Sequence, residues 1–155
     1  MKVICLTGSA STGKTTVAKL LAKKLKARYV DVNEIIRKNK LYEKYDRKFK
    51  TYIVNLKKLN KILIALIKDS KENLVIDSHL SHYLPAKYVD LCIVTKCDLK
   101  TLKKRLKKRG YSKLKIRENL DAEILDTCLI EALERDHRVK IIDTSKSIKR
   151  LNIKI

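Results

Sequence analysis

The stretch Gly8-Ser9-Ala10-Ser11-Thr12-Gly13-Lys14-Thr15 decides the fold, because two of the chain's three glycines fall inside it at the G-x-x-x-x-G-K-[ST] spacing of a phosphate-binding loop. The chemistry needs the residues in that order. A strand delivers the loop, backbone N–H groups turn inward around the phosphates, Lys14 neutralises β/γ charge and the Thr15 hydroxyl ligates Mg²⁺. The flanks agree with this reading. Lys2 to Leu6 reads as a short buried strand, and Val17, Leu20, Leu21 and Leu25 mark the apolar stripe of a helix over 14–27. Such a helix points the positive end of its dipole at the phosphates, so a nucleoside triphosphate is expected here.

With 155 residues the chain has the length of one domain, and no linker, repeat or low-complexity tract divides it. The longest apolar run, Ile62 to Ile67, is too short to cross a bilayer, and no signal-peptide core precedes the first strand. A soluble, cytoplasmic protein with no membrane partner is expected. Cys5, Cys92, Cys97 and Cys128 lack C-x-x-C spacing and read as buried free thiols. The three histidines form no paired spacing either, so a structural metal is not expected. The net charge of +21 suits a polyanionic partner such as RNA, or else a lysine-rich solvated surface. Much of it concentrates between Lys100 and Arg117, where ten of eighteen residues are Lys or Arg and none is acidic.

Periodicity places further strands at 29–31, 73–77, 89–95 and 139–143, with helices at 32–39, 55–69, 98–108 and 112–134. The long last helix carries the stripe Ile116, Leu120, Ile124 and Cys128, while the Tyr-rich segment after 39 reads as irregular. Strands alternating with helices imply a three-layer α/β fold around a five-stranded parallel sheet, with the ligand beyond the strands' carboxyl ends. Thr7, Asp31, Asp77, Thr95 and Thr144 would gather on that edge.

Asp77 ends an apolar strand about sixty residues after the loop, where a carboxylate holds Mg²⁺ directly or through water. His79, two residues on, is placed to orient or deprotonate a water, whereas nothing comparable singles out His82. Thr95-Lys96-Cys97-Asp98 matches the guanine-reading [NT]-K-x-D pattern. However, the D-x-x-G switch is absent and Asp98 suits a helix N-cap, which leaves a GTPase as a minor alternative. Arg105 and Arg109 share a helix face just before Gly110, so a mobile segment there could carry arginines over the phosphates.

Together these motifs carry a family resemblance. The phosphate loop, Leu41-Tyr42-x-x-Tyr45-Asp46, Asp77-Ser78-His79 ahead of Pro85, Arg105-Leu106-x-x-Arg109-Gly110-Tyr111 and Glu118-Asn119-x-x-Ala122-Glu123-Ile124 resemble the atypical adenylate kinases. These are also described as coilin-interacting nuclear ATPases and have archaeal relatives. The resemblance implies a P-loop nucleoside monophosphate kinase of broad specificity with ATPase activity. It also implies a role in late small-subunit ribosome maturation through a platform ribosomal protein and pre-ribosomal particles or ribosomal RNA. An ATP-driven assembly factor in which hydrolysis is primary is the alternative. By the same resemblance Ser11, Gly13, Lys14, Thr15 and Thr16 hold ATP phosphates, Arg109 reaches ATP from the lid, and Asp77 and His79 serve hydrolysis; Arg105, on the same helix face as Arg109, is the further arginine that could stabilise the moving phosphoryl group of ATP. A monophosphate-binding segment of about 30–54 holds its ligand with Arg37, and about 108–116 forms a short lid, all within one kinase domain over 1–155. The chain departs from the family in two places. The usual Gly-Thr-Pro-Gly is Gly8-Ser9-Ala10-Ser11 here, and a serine at position 11 costs on the order of 1 kcal/mol if φ is positive. A closing helix after the last strand would be short or missing.

Overall fold

The apolar run Val3–Thr7 is β1, fully buried at every residue, and it lies in the middle of a five-stranded parallel sheet of order β2-β5-β1-β6-β7. Its companions are β2 (Arg28–Asp31), β5 (Leu74–Asp77), β6 (Leu91–Lys96) and β7 (Val139–Asp143). The computed structural model describes residues 1–148 and Ile153, so the expectation about a closing helix falls largely on residues outside those described.

Central parallel strands are apolar along their whole length because helices cover both faces of the sheet. On one face Ile4, Leu6, Val75 and Ile93 meet Val17, Ala18 and Leu21 of α1 (Lys14–Leu25). On the other, Cys5, Leu74, Ile76, Cys92 and Val94 meet two further helices. These are α3 (Leu56–Asp69), which contributes Leu59, Leu63 and Ile67, and α6 (Thr127–Glu134), which contributes Ala132. The three layers and five parallel strands are those expected from the alternation of strands and helices. In α1 the stripe is narrower than expected: Leu20 is exposed, and Ala18 and Ala22 take the buried positions beside Val17 and Leu21.

Two segments differ from the sequence reading. The Tyr-rich stretch is an antiparallel hairpin, β3 (Tyr42–Asp46) and β4 (Thr51–Val54), that follows α2 (Val32–Lys38). Tyr52 packs its ring between those of Tyr42 and Tyr45, with centroids 4.4 and 4.9 Å apart. Cross-strand aromatic pairs of this kind supply cohesion that a hairpin off the main sheet otherwise lacks. The expected helix 112–134 is two helices, α5 (Lys113–Ile124) and α6, separated at Asp126 with φ 52°. That left-handed residue ends the stripe, so Ile124 is 58% exposed while Cys128 and Leu129 turn in against the sheet. The side chains beside the break explain its position. Lys96 at the end of β6 binds both Glu123 at 2.7 Å and Asp126 at 2.5 Å, which draws the helix end to the sheet edge.

α4 (Leu99–Lys108) and α5 pack on each other through Leu102, Leu106, Ile116 and Leu120, and this cluster also holds Ala10 of the phosphate loop. Among the described residues no helix is long and apolar enough to cross a membrane.

Candidate active site

Parallel register brings the carboxyl ends of the strands to one edge. Asp31 lies beside Asp77, Asp77 beside Leu6, and Thr7 beside Val94. The loop between β1 and α1 closes over that edge. Gly8 has φ 147°, and a Cβ there would come to 2.8 Å from the Thr95 carbonyl oxygen and 2.9 Å from Thr12 Oγ1, so only glycine fits. The loop is laced down from beneath. The Thr12 hydroxyl donates to the Ser9 carbonyl at 2.7 Å, and the Thr144 hydroxyl lies 2.5 Å from the Thr12 carbonyl.

At Gly13 (φ 80°) the chain enters α1 with no side-chain cap. The first-turn N–H groups of Lys14, Thr15 and Thr16 therefore lack intrahelical acceptors and face outward with the helix dipole behind them. They open into a pocket of about 470 Å³ lined by Ser11, Gly13, Lys14, Thr15, Thr16, Arg105, Lys108, Arg109 and Ile148. Among the described residues that line it none is acidic, and four of the nine are cationic. Such a surface receives a polyanion. Ser11 adopts φ 64°, the left-handed conformation at which a serine is strained, and its buried Oγ has no hydrogen-bond partner among the described residues.

Lys14 Nζ stands 3.9 Å from Asp77 Oδ1. Burial lowers the lysine's pKa and the Asp77 charge opposes that shift, so the cation is poorly solvated and would bind an incoming phosphate oxygen strongly. Asp77 Oδ2 accepts a 2.8 Å hydrogen bond from the Tyr29 hydroxyl, whose pKa is raised by burial and then by that carboxylate. Tyr29 also contacts Thr15, and so joins the two expected metal-binding residues. Tyr29 has no motif in the sequence. Its place beside Asp77 comes from the pairing of β2 with β5, in which Tyr29 opposes Val75.

His79 follows at the rim, exposed on one side. Exclusion of water on the other side, then the charges of Lys14 and His82, lower its pKa to about 4, with Asp77 opposing. It is therefore a neutral imidazole at neutral pH. His82, for which the sequence offered no role, is buried beneath the loop. Its Nδ1 lies 2.6 Å from Thr7 Oγ1 and its Nε2 2.7 Å from Glu131, so β1, the segment after β5 and α6 meet at one ring.

The two arginines of α4 are placed differently. The Arg105 guanidinium donates to the Thr144 carbonyl at 2.7 Å, to Thr144 Oγ1 at 3.2 Å and to the Ser11 carbonyl at 3.5 Å, and it also meets Cys97 Sγ at 3.4 Å. It braces the loop from the pocket wall. Arg109 is exposed, with a 3.3 Å bond to the Tyr111 hydroxyl. Lys108 lines the pocket too and was lost among the lysines of its sequence neighbourhood. Arg37 lies exposed near the end of α2, away from the lining of this pocket. Lys115 Nζ reaches the Lys50 carbonyl at 3.4 Å, which joins the start of α5 to the tip of the hairpin. Asp98 caps α4 by accepting from Thr101 N at 2.9 Å, and Lys96 is held by two carboxylates, so the [NT]-K-x-D match has structural work in this fold.

A phosphate loop at the carboxyl edge of a parallel sheet with an aspartate closing the neighbouring strand defines a P-loop protein of the kinase-like group. Comparison with known proteins takes this further. The model of the AAA domain family matches residues 4–126. A protein of Methanococcus maripaludis named "Putative adenylate kinase" is 37% identical over 152 residues, covering 95% of this chain and 81% of its own. Proteins of the same name from Methanocaldococcus jannaschii (39% identical, 83% of this chain and 71% of that one) and Pyrococcus furiosus (39%, 92% and 75%) match as well. The chain belongs to this adenylate-kinase-like family. The crystal structure of the Bacillus subtilis YorR protein in complex with phosphorylated GDP shares the fold, with a TM-score of 0.59 over 92% of this chain and 86% of that one at 19% identity.

Proposed function

We propose that the chain is a nucleoside monophosphate kinase that moves the γ-phosphoryl group of ATP to AMP or a related monophosphate. The observation that carries this is the cationic pocket at the uncapped start of α1, whose lining Lys14 stands 3.9 Å from the Asp77 carboxylate. Family membership and the names of the archaeal relatives support it.

In this reading the N–H groups of Ser11, Gly13, Lys14, Thr15 and Thr16 hold the phosphate chain, Lys14 bridges β- and γ-oxygens, and Arg109 closes on the moving group from the lid at about 108–116. Arg105, already braced against Thr144 and Ser11, keeps the loop in register. The Thr15 hydroxyl and the Asp77 carboxylate are hard oxygen donors joined through Tyr29, and they fit Mg²⁺ held directly or through water. Bound Mg²⁺ would neutralise charge across the β- and γ-phosphates. The monophosphate is received by the segment of about 30–54, where Arg37 is the cation for its phosphate. A monophosphate oxygen attacks without a general base, so His79, neutral and beside Asp77, serves the orientation of water in a slower ATPase reaction.

A second reading rests on the net charge of +21 and on the resemblance to coilin-interacting nuclear ATPases: the ATP cycle also serves small-subunit maturation through a ribosomal protein or ribosomal RNA. Phosphorus NMR with Mg²⁺-ATP, alone and then with AMP, CMP and GMP, separates the two activities. Rapid formation of diphosphates with little free phosphate is expected, whereas phosphate release indifferent to added monophosphate would make hydrolysis primary and refute the kinase assignment. RNA or ribosomal association that does not weaken steeply as salt rises would count against the second reading.

A further inference from the structure

Behind the phosphate loop, on the sheet face opposite α1, three side chains converge that the nucleotide chemistry does not use. Cys5 of β1 and Cys92 of β6 are register partners on adjacent strands, and both are fully buried. His137, in the turn between α6 and β7, is 5% exposed. One ligand atom from each lies within 4.8 Å of the others.

The histidine tautomer is fixed by its other nitrogen. His137 Nε2 lies 2.9 Å from the His82 carbonyl oxygen, which can only accept, so Nε2 carries the proton and Nδ1 presents a lone pair. That Nδ1 is buried and has no hydrogen-bond partner among the described residues. A ring that donates through one nitrogen to a backbone carbonyl and holds the other free is the arrangement found in metal-ligating histidines. We propose that Cys5, Cys92 and His137 form a buried site for a thiophilic divalent cation, with zinc its natural occupant.

The chemistry balances. The hydrogen bond with Cys92, and then burial, raise the pKa of the Cys5 thiol and hold it protonated in the metal-free protein. Binding breaks two S–H bonds, forms two metal–sulfur bonds and releases two protons to solvent, with no change of oxidation state. Two thiolates and a neutral imidazole around a divalent cation sum to zero charge, which a dry core accepts. Ligand atoms about 2.3 Å from a tetrahedral zinc lie about 3.8 Å apart, so the three donors take three corners with a contraction of about 1 Å at most, and a water entering with the ion would take the fourth. The sequence could not show it, because spacings of 87 and 45 residues match no ligand pattern and only the strand order β1-β6-β7 unites them. Occupancy would tie β1 to the α6–β7 turn directly beneath the loop, since His137 holds the His82 carbonyl and His82 holds Thr7.

The test uses the full chain, reduced, stripped with chelator, exposed to Zn²⁺ and desalted, with metal counted by mass spectrometry and Co²⁺ as the optical reporter. About one zinc per chain and a thiolate-to-cobalt charge-transfer band are expected, both retained in Cys97→Ala/Cys128→Ala. Cys92→Ala, which keeps a small apolar side chain in the strand, should lose at least about tenfold in zinc affinity and the band with it. Zinc should raise the melting temperature of the unaltered chain and leave that of Cys92→Ala unchanged. A cooperatively folded chain that holds no zinc overturns the proposal, as does zinc retained in Cys92→Ala. A mass two daltons low with two thiols missing would show that the pair closes as a disulfide instead, and overturns it equally.

Discussion

Replacing Ser11 by glycine should stabilise the protein, although it removes a side chain from the phosphate loop. Ser11 sits at φ 64°, where an L-residue is strained by about 1–2 kcal/mol relative to glycine. Its buried hydroxyl has no partner among the described residues, and removing an unsatisfied buried polar group recovers about 1 kcal/mol. Against this, glycine gives the unfolded chain extra freedom worth about 0.4–1 kcal/mol. The net is a gain of about 1–2 kcal/mol, or about 3–6 °C in melting temperature for a chain of this length. Thermal unfolding of nucleotide-free protein reads it directly. If Ser11→Gly melts below the unaltered chain, then either the strain or the orphaned hydroxyl has been misjudged, and the inference that this loop departs from the usual glycine at a cost is wrong.

Three further outcomes are expected. Gly8→Ala should fold poorly and lose nucleotide binding, because its Cβ would sit 2.8 Å from the Thr95 carbonyl; near-native nucleotide affinity in isothermal titration would contradict the packing described. Tyr29→Phe removes the hydrogen bond that positions Asp77 and should raise the Mg²⁺ concentration needed for half-maximal turnover about fivefold, the equivalent of about 1 kcal/mol, while leaving the fold intact by circular dichroism; an unchanged Mg²⁺ dependence would remove Tyr29 from the site. His79 has its folded pKa lowered to about 4 against about 6.5 unfolded, so between those values the unfolded chain binds more protons. Its effect is nil above about pH 6.5 and destabilising as pH falls towards 4, so His79→Gln should flatten that part of the urea-unfolding profile, and an identical pH slope in both proteins would refute the assignment.

The sheet was legible because parallel central strands are mostly apolar, and the strands read at 2–6, 73–77 and 89–95 fall on β1, β5 and β6 with ends shifted by at most two residues. The loop was legible because only glycine serves at Gly8. The hairpin was not, since its cohesion comes from rings on opposite strands, Tyr52 between Tyr42 and Tyr45, which no periodicity reveals. Nor was the break at Asp126, where a left-handed aspartate is chosen by the pull of Lys96 across the sheet edge and not by local propensity. At the site, Lys14 and Asp77 follow from motif spacing. Tyr29 and His82 do not, because strand register places the first and the fold of the segment after β5 places the second.

The bonds of Arg105 give α4 a mechanical character. Pinned to Thr144 and Ser11 at one turn and exposed at the next, the helix is a beam fixed at one end, with Arg109 on its overhang. Motion at the tip then leaves the loop's backbone undisturbed, so in the proposed kinase Arg109 would swing over the nucleotide without loosening the cradle. A lysine in place of Arg105 could not make the same forked attachment. The charge would survive, but the fulcrum would not.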